Sequence, residues 1–266
     1  MKMKWLSVLL LLVGISAWGK APGDLPFQRG EWTRFSVMFK WGAVNTEVAT
    51  GELSLDSLHL GGVSAYHASL KARTAPFFEA FYSMNENFQT WFSPETLKNI
   101  RHTRDTHQGS YHATNEFQYD WDKKVIHARI EFDGKPEQTL EIPLHDGVYD
   151  IASMLYYLRS LELDEFPVGK QIHMSFAIDD SVFDIVLTYQ GKETLRVRRM
   201  GKVDALRYSC TVVSGAMFDG SQPMQLWFSD DENLIPVAFM APLRIGSVRG
   251  WLKNYGGLKY DFSARH

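Results

Sequence analysis

The sequence is poor in cysteine and has no excess of basic charge. Cys210 is the only cysteine among 266 residues, so an intrachain disulfide is excluded. It lies in the apolar run 206–213, where a buried thiol is expected rather than a reactive one. The 28 Lys and Arg residues are outnumbered by 31 Asp and Glu residues, which gives a formal net charge of -3. This balance argues against nucleic acid or an anionic membrane as a partner.

Known catalytic motifs are missing as well. We find no G-x-S-x-G elbow, no glycine-rich phosphate loop, no H-E-x-x-H helix and no C-x-x-C pair. The adjacent acids Asp179-Asp180 and Asp230-Asp231 fall at predicted turns, where carboxylates usually point into solvent rather than form an acid–base pair. The sequence therefore predicts no enzyme and no cofactor.

Long apolar runs are confined to the N-terminus. Lys2 and Lys4 precede an apolar run over residues 5–15, and Ala17-Trp18-Gly19 places small residues where a signal peptidase reads. The run is shorter than the ~20 residues that a membrane-spanning helix needs. We therefore predict a signal peptide over residues 1–19, cleaved near Gly19, and export to the periplasm or beyond. Cleavage would remove two basic residues and change the net charge from -3 to -5.

The mature chain, residues 20–266, alternates strand-like runs with turns and shows no linker, so one antiparallel β domain is expected. Apolar, β-branched and aromatic residues mark about a dozen strands, and Gly, Asp and Asn mark the turns between them. This pattern predicts an all-β fold, either a large, partly open β-barrel or a strongly curved sheet. The predicted strands include 32–41, 44–55, 63–73, 124–132, 138–142, 171–178, 182–189, 193–200, 206–213, 224–229, 234–240 and 245–255.

Two segments have helical spacing instead. Residues 148–163 carry apolar side chains at intervals of three and four, which predicts a central, largely buried helix capped by Asp150 or Asp146. Aromatic residues at the same spacing predict a short second helix over residues 77–84. Arg159 of the central helix needs a partner if it is buried, and we favour a structural ion pair of Asp150 and Arg159 over capture of a ligand.

Residues 100–117 predict a hairpin whose loop is Gln108-Gly109. In that register His107 opposes Ser110, Asp105 opposes His112, and His102 opposes Asn115. One face then holds Ile100, His102, Arg104, Tyr111, Ala113 and Phe117, and the opposite face is entirely polar. The polar face brings together Asp105, His107 and His112, a possible ligand set for zinc or another divalent ion. The alternative is a hairpin tip that is simply solvated.

Several short segments resemble those of a bacterial exported family designated domain of unknown function 3108. They are Phe39-Lys40-Trp41-Gly42, Gly51-Glu52, Asp150 with Arg159, Leu226 to Asp231, Ile235-Pro236-Val237 and Gly246-Ser247-Val248. The resemblance covers nearly all of the mature chain. It implies a partly open antiparallel barrel, similar to periplasmic lipoprotein carriers and capsule-assembly lipoproteins, and it implies no catalytic residues. A lipobox cysteine is missing near the cleavage site, which argues against a lipid anchor.

Aromatic residues make up 14% of the chain, more than a plain surface requires. Our first hypothesis is a periplasmic binding or carrier protein, not an enzyme, that holds an apolar or amphiphilic, lipid-like ligand inside the barrel beneath the helix. It would be peripheral to a membrane at most. The residues expected to line the cavity are Phe77, Phe81, Tyr156, Tyr157 and Trp227.

Two alternatives remain open. The protein could be a scaffold that holds another envelope protein at an exposed sheet edge, for which Pro236 near an edge would be suited. It could also be a metal-dependent hydrolase with Asp105, His107 and His112 as ligands. A transmembrane barrel is disfavoured, because the 100–117 hairpin has one fully polar face and charged residues on the other.

Overall fold

The structure is a computed structural model that describes residues 24–212, 223–243 and 246–266. Fifteen strands lie in these ranges, together with one α-helix and one short 3-10 helix. The strands are β1 Trp32–Trp41, β2 Val44–Leu60, β3 Val63–Thr74, β4 Met84–Phe92, β5 Asn99–Gln108, β6 Tyr111–Asp120, β7 Val125–Phe132, β8 Gln138–Pro143, β9 Val148–Tyr149, β10 Gln171–Ile178, β11 Ser181–Val197, β12 Gly201–Val212, β13 Met224–Ser229, β14 Pro236–Pro242 and β15 Ser247–Gly256. The helices are α1 Ile151–Arg159 and the 3-10 helix Leu163–Glu165.

All fifteen strands form one sheet in the order β8-β7-β6-β5-β4-β3-β2-β1-β15-β14-β13-β12-β11-β10-β9. Only β9 and β10 are parallel. The edge strands β8 and β9 follow each other in the chain, separated by residues 144–147, so the sheet curls until its two edges approach. They are not paired with each other, and the barrel stays open. The predicted class, a partly open antiparallel barrel with one central helix, is confirmed, with fifteen strands where about a dozen were expected.

Side chains fill the inside of the curled sheet. On β6, alternate residues Ala113, Phe117 and Tyr119 are buried, as a strand with one face on the core requires. Across the gap between the sheet edges, Ile142 of β8 belongs to the same buried cluster as Ala177 of β10. Apolar packing therefore holds the two edges together where no hydrogen-bonded ladder does.

The central helix is shorter than the spacing predicts, because residues 148–149 pair with β10 as β9. Asp150 caps the start of the helix and is one of the two residues that the sequence predicts as the cap. Its carboxylate accepts hydrogen bonds from the backbone N–H groups of Ala152 and Ser153, while the Ser153 hydroxyl accepts from the Asp150 N–H. This reciprocal capping box fixes where α1 begins.

The predicted second helix over residues 77–84 is not formed. Residues 76–81 make hydrogen-bonded turns, and β4 begins at Met84. Phe77 and Phe81 are 77% and 80% exposed, so most of the aromatic face lies open to solvent. A helix of so few residues is not stable in water without packing of that face.

Strand β11 is continuous where the sequence predicts a break at Gln190-Gly191. The pairing with β12 shifts register between Tyr189 and Gly191 instead. Gly191 has a φ of 108°, which glycine adopts at little cost, so the strand bends as a bulge and continues.

Pro236 lies in an inner strand, not at the sheet edge that the scaffold hypothesis requires. β14 is paired with β13 on one side and β15 on the other. Pro236 is the first residue of β14 and faces the register shift between Trp227 and Phe228. A missing N–H is tolerated at such an irregular position.

The 100–117 hairpin is displaced by one residue from the predicted register. Gln108 pairs with Tyr111, so Gly109-Ser110 is the loop, and His107 opposes His112. Gly109 has a φ of 62°, the positive value that a tight hairpin turn demands at this position. Each side chain still lies on its predicted face, because this displacement changes the opposing residue by two positions.

The predicted signal peptide, residues 1–19, lies outside the described residues. Among residues 24–212, 223–243 and 246–266, we find no helix with the length and apolar character needed to cross a bilayer.

Candidate functional site

Two of the residues predicted to line an internal cavity are packed into the core beneath α1. Tyr156 is fully buried, and its ring lies 5.0 Å from that of Phe27 and 5.8 Å from that of Phe92. Tyr157 is stacked on Tyr149 at 4.5 Å. The inner face of the helix is therefore covered by side chains of the protein itself, which fill the place where the sequence suggested a ligand.

The other three predicted residues lie elsewhere. Phe77 and Phe81 are on the surface, in the connection between β3 and β4. Trp227 of β13 does line a cavity, which opens on a different part of the sheet. The structure thus does not bring the five residues together.

Arg159 is completely buried, and its partner is Glu31 rather than the predicted Asp150. The guanidinium donates two hydrogen bonds to the Glu31 carboxylate, at 2.5 and 2.8 Å. It also donates to the backbone carbonyl of Asn233. The predicted pair is not formed because Asp150 caps the helix start, about 13 Å away along an axis that rises 1.5 Å per residue.

Asp150 is held by side chains of the sheet. Its carboxylate accepts hydrogen bonds from the Thr90 hydroxyl at 2.7 Å and the Asn99 amide at 2.8 Å. His102 Nδ1 lies 3.7 Å from the same carboxylate. Burial lowers the pKa of His102, although the Asp150 charge opposes this, so the imidazole is neutral. Because these groups are sealed from solvent, they anchor the helix to β4 and β5 and are not placed to act on a ligand.

Cys210 is buried, as predicted. Burial raises the pKa of its thiol to about 11, so the sulfur is protonated at neutral pH. It carries no reactive function in this state.

A strongly basic concave site lies where the β11–β12 connection meets β1, β2 and β15. We call it the basic cavity; its volume is about 300 Å³. Six basic side chains line it against one acid, Glu47, in a chain whose net charge is -3. The basic residues are Lys40, Arg196, Arg198, Arg199, Arg249 and Lys253.

Most of this positive charge is unpaired. Lys253 Nζ lies 3.3 Å from Glu47 Oε1, whereas the other five basic side chains form no ion pair with any residue in the described ranges. A hydrogen bond from Ser36 and the charges of Lys253 and Arg198 lower the pKa of Glu47, which stays ionised. Arg249 Nε is buried and has no hydrogen-bond partner among the described residues. Since such a group is costly to leave unsatisfied, an anionic ligand would stabilise the site.

A second cavity, in which aromatic rings alternate with charged side chains, adjoins the basic cavity. We call it the aromatic cavity; its volume is about 290 Å³, and it shares Arg249 and Trp251 with the basic cavity. Its other lining residues are Glu193, Arg207, Trp227, Phe239 and Met240. The Trp227 Nε1–H donates to the Glu193 carboxylate, which fixes the orientation of the indole ring. The two cavities together, which we call the groove, offer cations at one end and aromatic rings at the other.

The positive surface extends beyond the groove. A third cavity of about 660 Å³ shares Lys253 and adds Arg34, Lys71 and Arg73, with Glu52 as its acid. A ligand larger than the groove could therefore continue along β1, β2 and β3.

Sequence reasoning identified only Trp227 among these groove residues. One local pattern could have indicated the basic cavity, namely the run Arg196-Val197-Arg198-Arg199 at the end of a predicted strand. The remaining groups come from β1, β2 and β15, which are distant in sequence and meet only through the strand order.

The hairpin does bring together Asp105, His107 and His112. One ligand atom from each residue lies within 4.8 Å of the others. This site is separate from the groove and shares none of its lining residues.

A family model for proteins of unknown function, designated DUF3108, matches residues 34–253, which is most of the chain. The chain belongs to the DUF3108 family. Every residue of the groove falls within the range that matches DUF3108. The family predicted from the sequence is thereby confirmed.

A solved structure shows the same kind of fold. The crystal structure of a beta-barrel-like protein of domain of unknown function DUF1849, from Brucella abortus, is similar to this DUF3108 chain with a TM-score of 0.55 and 12% sequence identity. The likeness covers 88% of this chain and 100% of that one. At this identity it establishes the barrel-like fold alone. No curated protein matches the chain.

Proposed function

We propose that this protein is a binding or carrier protein, not an enzyme, for an anionic amphiphile of the cell envelope. The groove holds the ligand, with its anionic group in the basic cavity and its apolar part in the aromatic cavity. The predicted signal peptide supports a periplasmic location. The proposed site differs from the interior expected from the sequence, because the space beneath α1 is filled.

The observation that carries this proposal is the junction at Arg249 and Trp251. Arg249 has a buried nitrogen without a hydrogen-bond partner in the described part of the chain, and both Arg249 and Trp251 belong to the two cavities. A purely anionic ligand would leave the aromatic cavity unused, and a purely apolar ligand would leave several arginines unneutralised. An amphiphile matches both halves of the groove.

Arginine-rich lining favours a phosphate, carboxylate or sulfate group at the anionic end. The guanidinium group presents planar, paired donors that match such oxyanions, and charge-assisted hydrogen bonds of this kind are stronger than neutral ones. Arg196, Arg198 and Arg199 are exposed and can reorient toward the ligand. The basic and aromatic cavities, of about 300 and 290 Å³, each lie near the lower end of the range typical of ligand sites, about 300–1,000 Å³, which suits one headgroup and the start of a chain.

One end of the sheet is suited to meet the membrane from which such a ligand would come. The β1–β2, β3–β4 and β14–β15 connections leave the sheet at the same end, since neighbouring strands alternate in direction. These connections, with the strand residues directly next to them, carry six of the eight large apolar side chains that are exposed in the described residues. We call this set the apolar rim: Trp41, Val44, Phe77, Phe81, Tyr82 and Leu243.

A lipid surface is the occupant that fits the apolar rim. Trp and Tyr side chains favour the membrane interface, and Lys40, next to Trp41, belongs to the basic cavity. The net charge of the whole chain hides this local excess of cations. In this proposal, the protein contacts an anionic membrane reversibly through the apolar rim and then takes up an amphiphile into the groove.

Binding of short-chain lipids tests the proposal directly. Monomeric dihexanoyl phosphatidylglycerol should bind saturably and change the tryptophan fluorescence, while dihexanoyl phosphatidylcholine should bind more weakly. The double variant Arg198→Gln/Arg249→Gln should lose at least about tenfold in affinity, since each charge-assisted hydrogen bond contributes about 1.5–3 kcal/mol.

The matched control is Arg129→Gln, which removes an exposed arginine paired with Glu137 outside the groove. It should bind the anionic lipid like the unmodified protein. Equal affinity for both lipids, or an unchanged affinity in the double variant, would rule out the groove as the site.

A scaffold is the second candidate function, and strand β8 is the observation that favours it. β8 is paired only with β7, so one of its sides offers free backbone groups at the sheet edge. Another chain could add a strand there. Substituting Thr139 by proline would block this addition, and loss of a co-purifying partner in that variant, with lipid binding intact, would favour the scaffold.

A further inference from the structure

The β5–β6 hairpin carries a preorganised group of metal-ligand side chains that the proposed carrier function does not use. His107 and His112 oppose each other directly in the strand register. Their rings are stacked, with centroids 3.9 Å apart and planes inclined by 15°. Asp105 lies two residues before His107 and therefore on the same face of β5.

The ligand atoms converge on one point. Asp105 Oδ1 lies 3.2 Å from His107 Nε2 and 3.1 Å from His112 Nε2. In a tetrahedral zinc site the ligand distances are about 2.0–2.2 Å, so two ligand atoms on one ion are roughly 3.4 Å apart. These two separations are close to that edge length, and the third, between the two imidazole nitrogens, is no more than 4.8 Å.

The backbone holds the two histidines in place. They belong to paired strands, and the His112 N–H also donates to Asp133 Oδ1 at 2.6 Å. Ligand groups on strands are positioned more accurately than groups on loops. All three side chains keep substantial exposure, between 42% and 52%, so an ion can enter and water can reach its open position.

We propose that Asp105, His107 and His112 bind one divalent transition-metal ion, with zinc the best match. Two imidazole nitrogens and a carboxylate oxygen are a ligand set that zinc accepts, and three protein ligands leave the fourth position to water or another molecule. The competing explanation is a metal-free cluster in which each Nε2–H donates to Asp105. The two explanations differ in whether zinc displaces these protons.

Metal titration of the full mature protein, purified without a polyhistidine tag and stripped with EDTA, separates them. Isothermal titration with zinc chloride should show one equivalent bound, and zinc should raise the melting temperature. Cobalt(II) should give the visible absorption bands of a tetrahedral site. His107→Ala/His112→Ala should lose at least tenfold in zinc affinity, and Asp105→Asn should weaken binding while both histidines remain.

His59→Ala is the matched control, because it removes another exposed histidine from the end of β2. Its zinc affinity and stoichiometry should equal those of the unmodified protein. Circular dichroism would show that each variant is folded. Failure to bind zinc, or undiminished binding in the double histidine variant, would overturn the proposal without affecting the lipid-binding test.

Discussion

At the residue scale, the buried guanidinium of Arg159 joins three separate parts of the chain. It hydrogen-bonds to Glu31 just before β1, to the carbonyl of Pro26 five residues earlier, and to the carbonyl of Asn233 between β13 and β14. The helix end is thereby fixed against both halves of the sheet. Leaving Glu31 as a buried, unpaired carboxylate would be costly.

The variant Arg159→Met tests this role. We expect its free energy of unfolding to fall by about 3–5 kcal/mol, as for other buried pairs that lose one partner. The control is Arg29→Met, which breaks an exposed pair with Asp56 and should cost less than about 1 kcal/mol. Denaturant unfolding measures both, and similar losses in the two variants would contradict the account.

His102 predicts how stability changes with pH. Burial lowers its pKa from the ordinary value of 6.5, so below that pH the unfolded chain binds more protons than the folded one. The stability present above 6.5 should therefore decrease as the pH falls, by up to about 1.4 kcal/mol per pH unit from this group.

The variant His102→Asn lacks this dependence. Its stability deficit relative to the unmodified protein should be largest near about pH 7.5 and should shrink toward about pH 5. Parallel curves of unfolding free energy against pH would show that His102 does not titrate as proposed.

At the element scale, the sequence predicts strands well where alternation and turn residues agree. The bounds of β1, β10 and β13 coincide with their predictions. The hairpin loop is displaced by one residue, because both Gln108-Gly109 and Gly109-Ser110 contain the glycine that the turn needs. A one-residue displacement of the loop leaves each side chain of the hairpin on its predicted face. The sequence therefore predicts that His107 and His112 share a face, but not that they lie directly opposite each other.

Helices were predicted less well than strands, because the spacing of apolar residues does not show whether the apolar face of a helix has a surface to pack against. The segment that Asp150 caps packs against the core and forms α1. The aromatic segment at Phe77 has the same spacing but stays exposed and forms turns.

Gly250 offers a test of the aromatic cavity at this scale. The Phe239 ring covers Gly250, so a β-carbon there would collide with the ring. Gly250→Ala should lower the free energy of unfolding by about 1–3 kcal/mol through overpacking and should weaken binding of dihexanoyl phosphatidylglycerol.

Gly51→Ala is the matched control within a strand. The nearest atom to a β-carbon at Gly51 is a backbone oxygen at 3.7 Å, an ordinary contact. This variant should be as stable as the unmodified protein or slightly more so. If Gly250→Ala behaved in the same way, the position assigned to the Phe239 ring would be wrong.

At the scale of the whole molecule, the groove was out of reach of sequence reasoning. Arg198 and Lys253 are far apart in the chain, yet both line the basic cavity. Their approach depends on the strand order, in which β1 pairs with β15 and β11 curls toward them. The net charge of the chain did not indicate the basic cavity either, because it sums the basic residues of the cavity with acidic residues elsewhere in the chain.

The apolar rim predicts membrane contact. The protein should co-sediment with vesicles of phosphatidylcholine and phosphatidylglycerol more than with phosphatidylcholine vesicles alone. Phe77→Ser/Phe81→Ser should reduce this binding severalfold, since each ring loses its apolar contact with lipid. Val63→Ser changes an exposed apolar residue at the opposite end of the sheet and should have no effect. Equal loss in both variants would exclude a directed contact.

Native mass spectrometry of the protein, purified without detergent from the cells that produce it naturally, tests the central claim most directly. We predict a one-to-one adduct that organic solvent releases and that proves to be an anionic amphiphile. The adduct should be missing from Arg198→Gln/Arg249→Gln. A clean apoprotein mass, or an adduct that persists in that double variant, would contradict the assignment of the groove as the binding site.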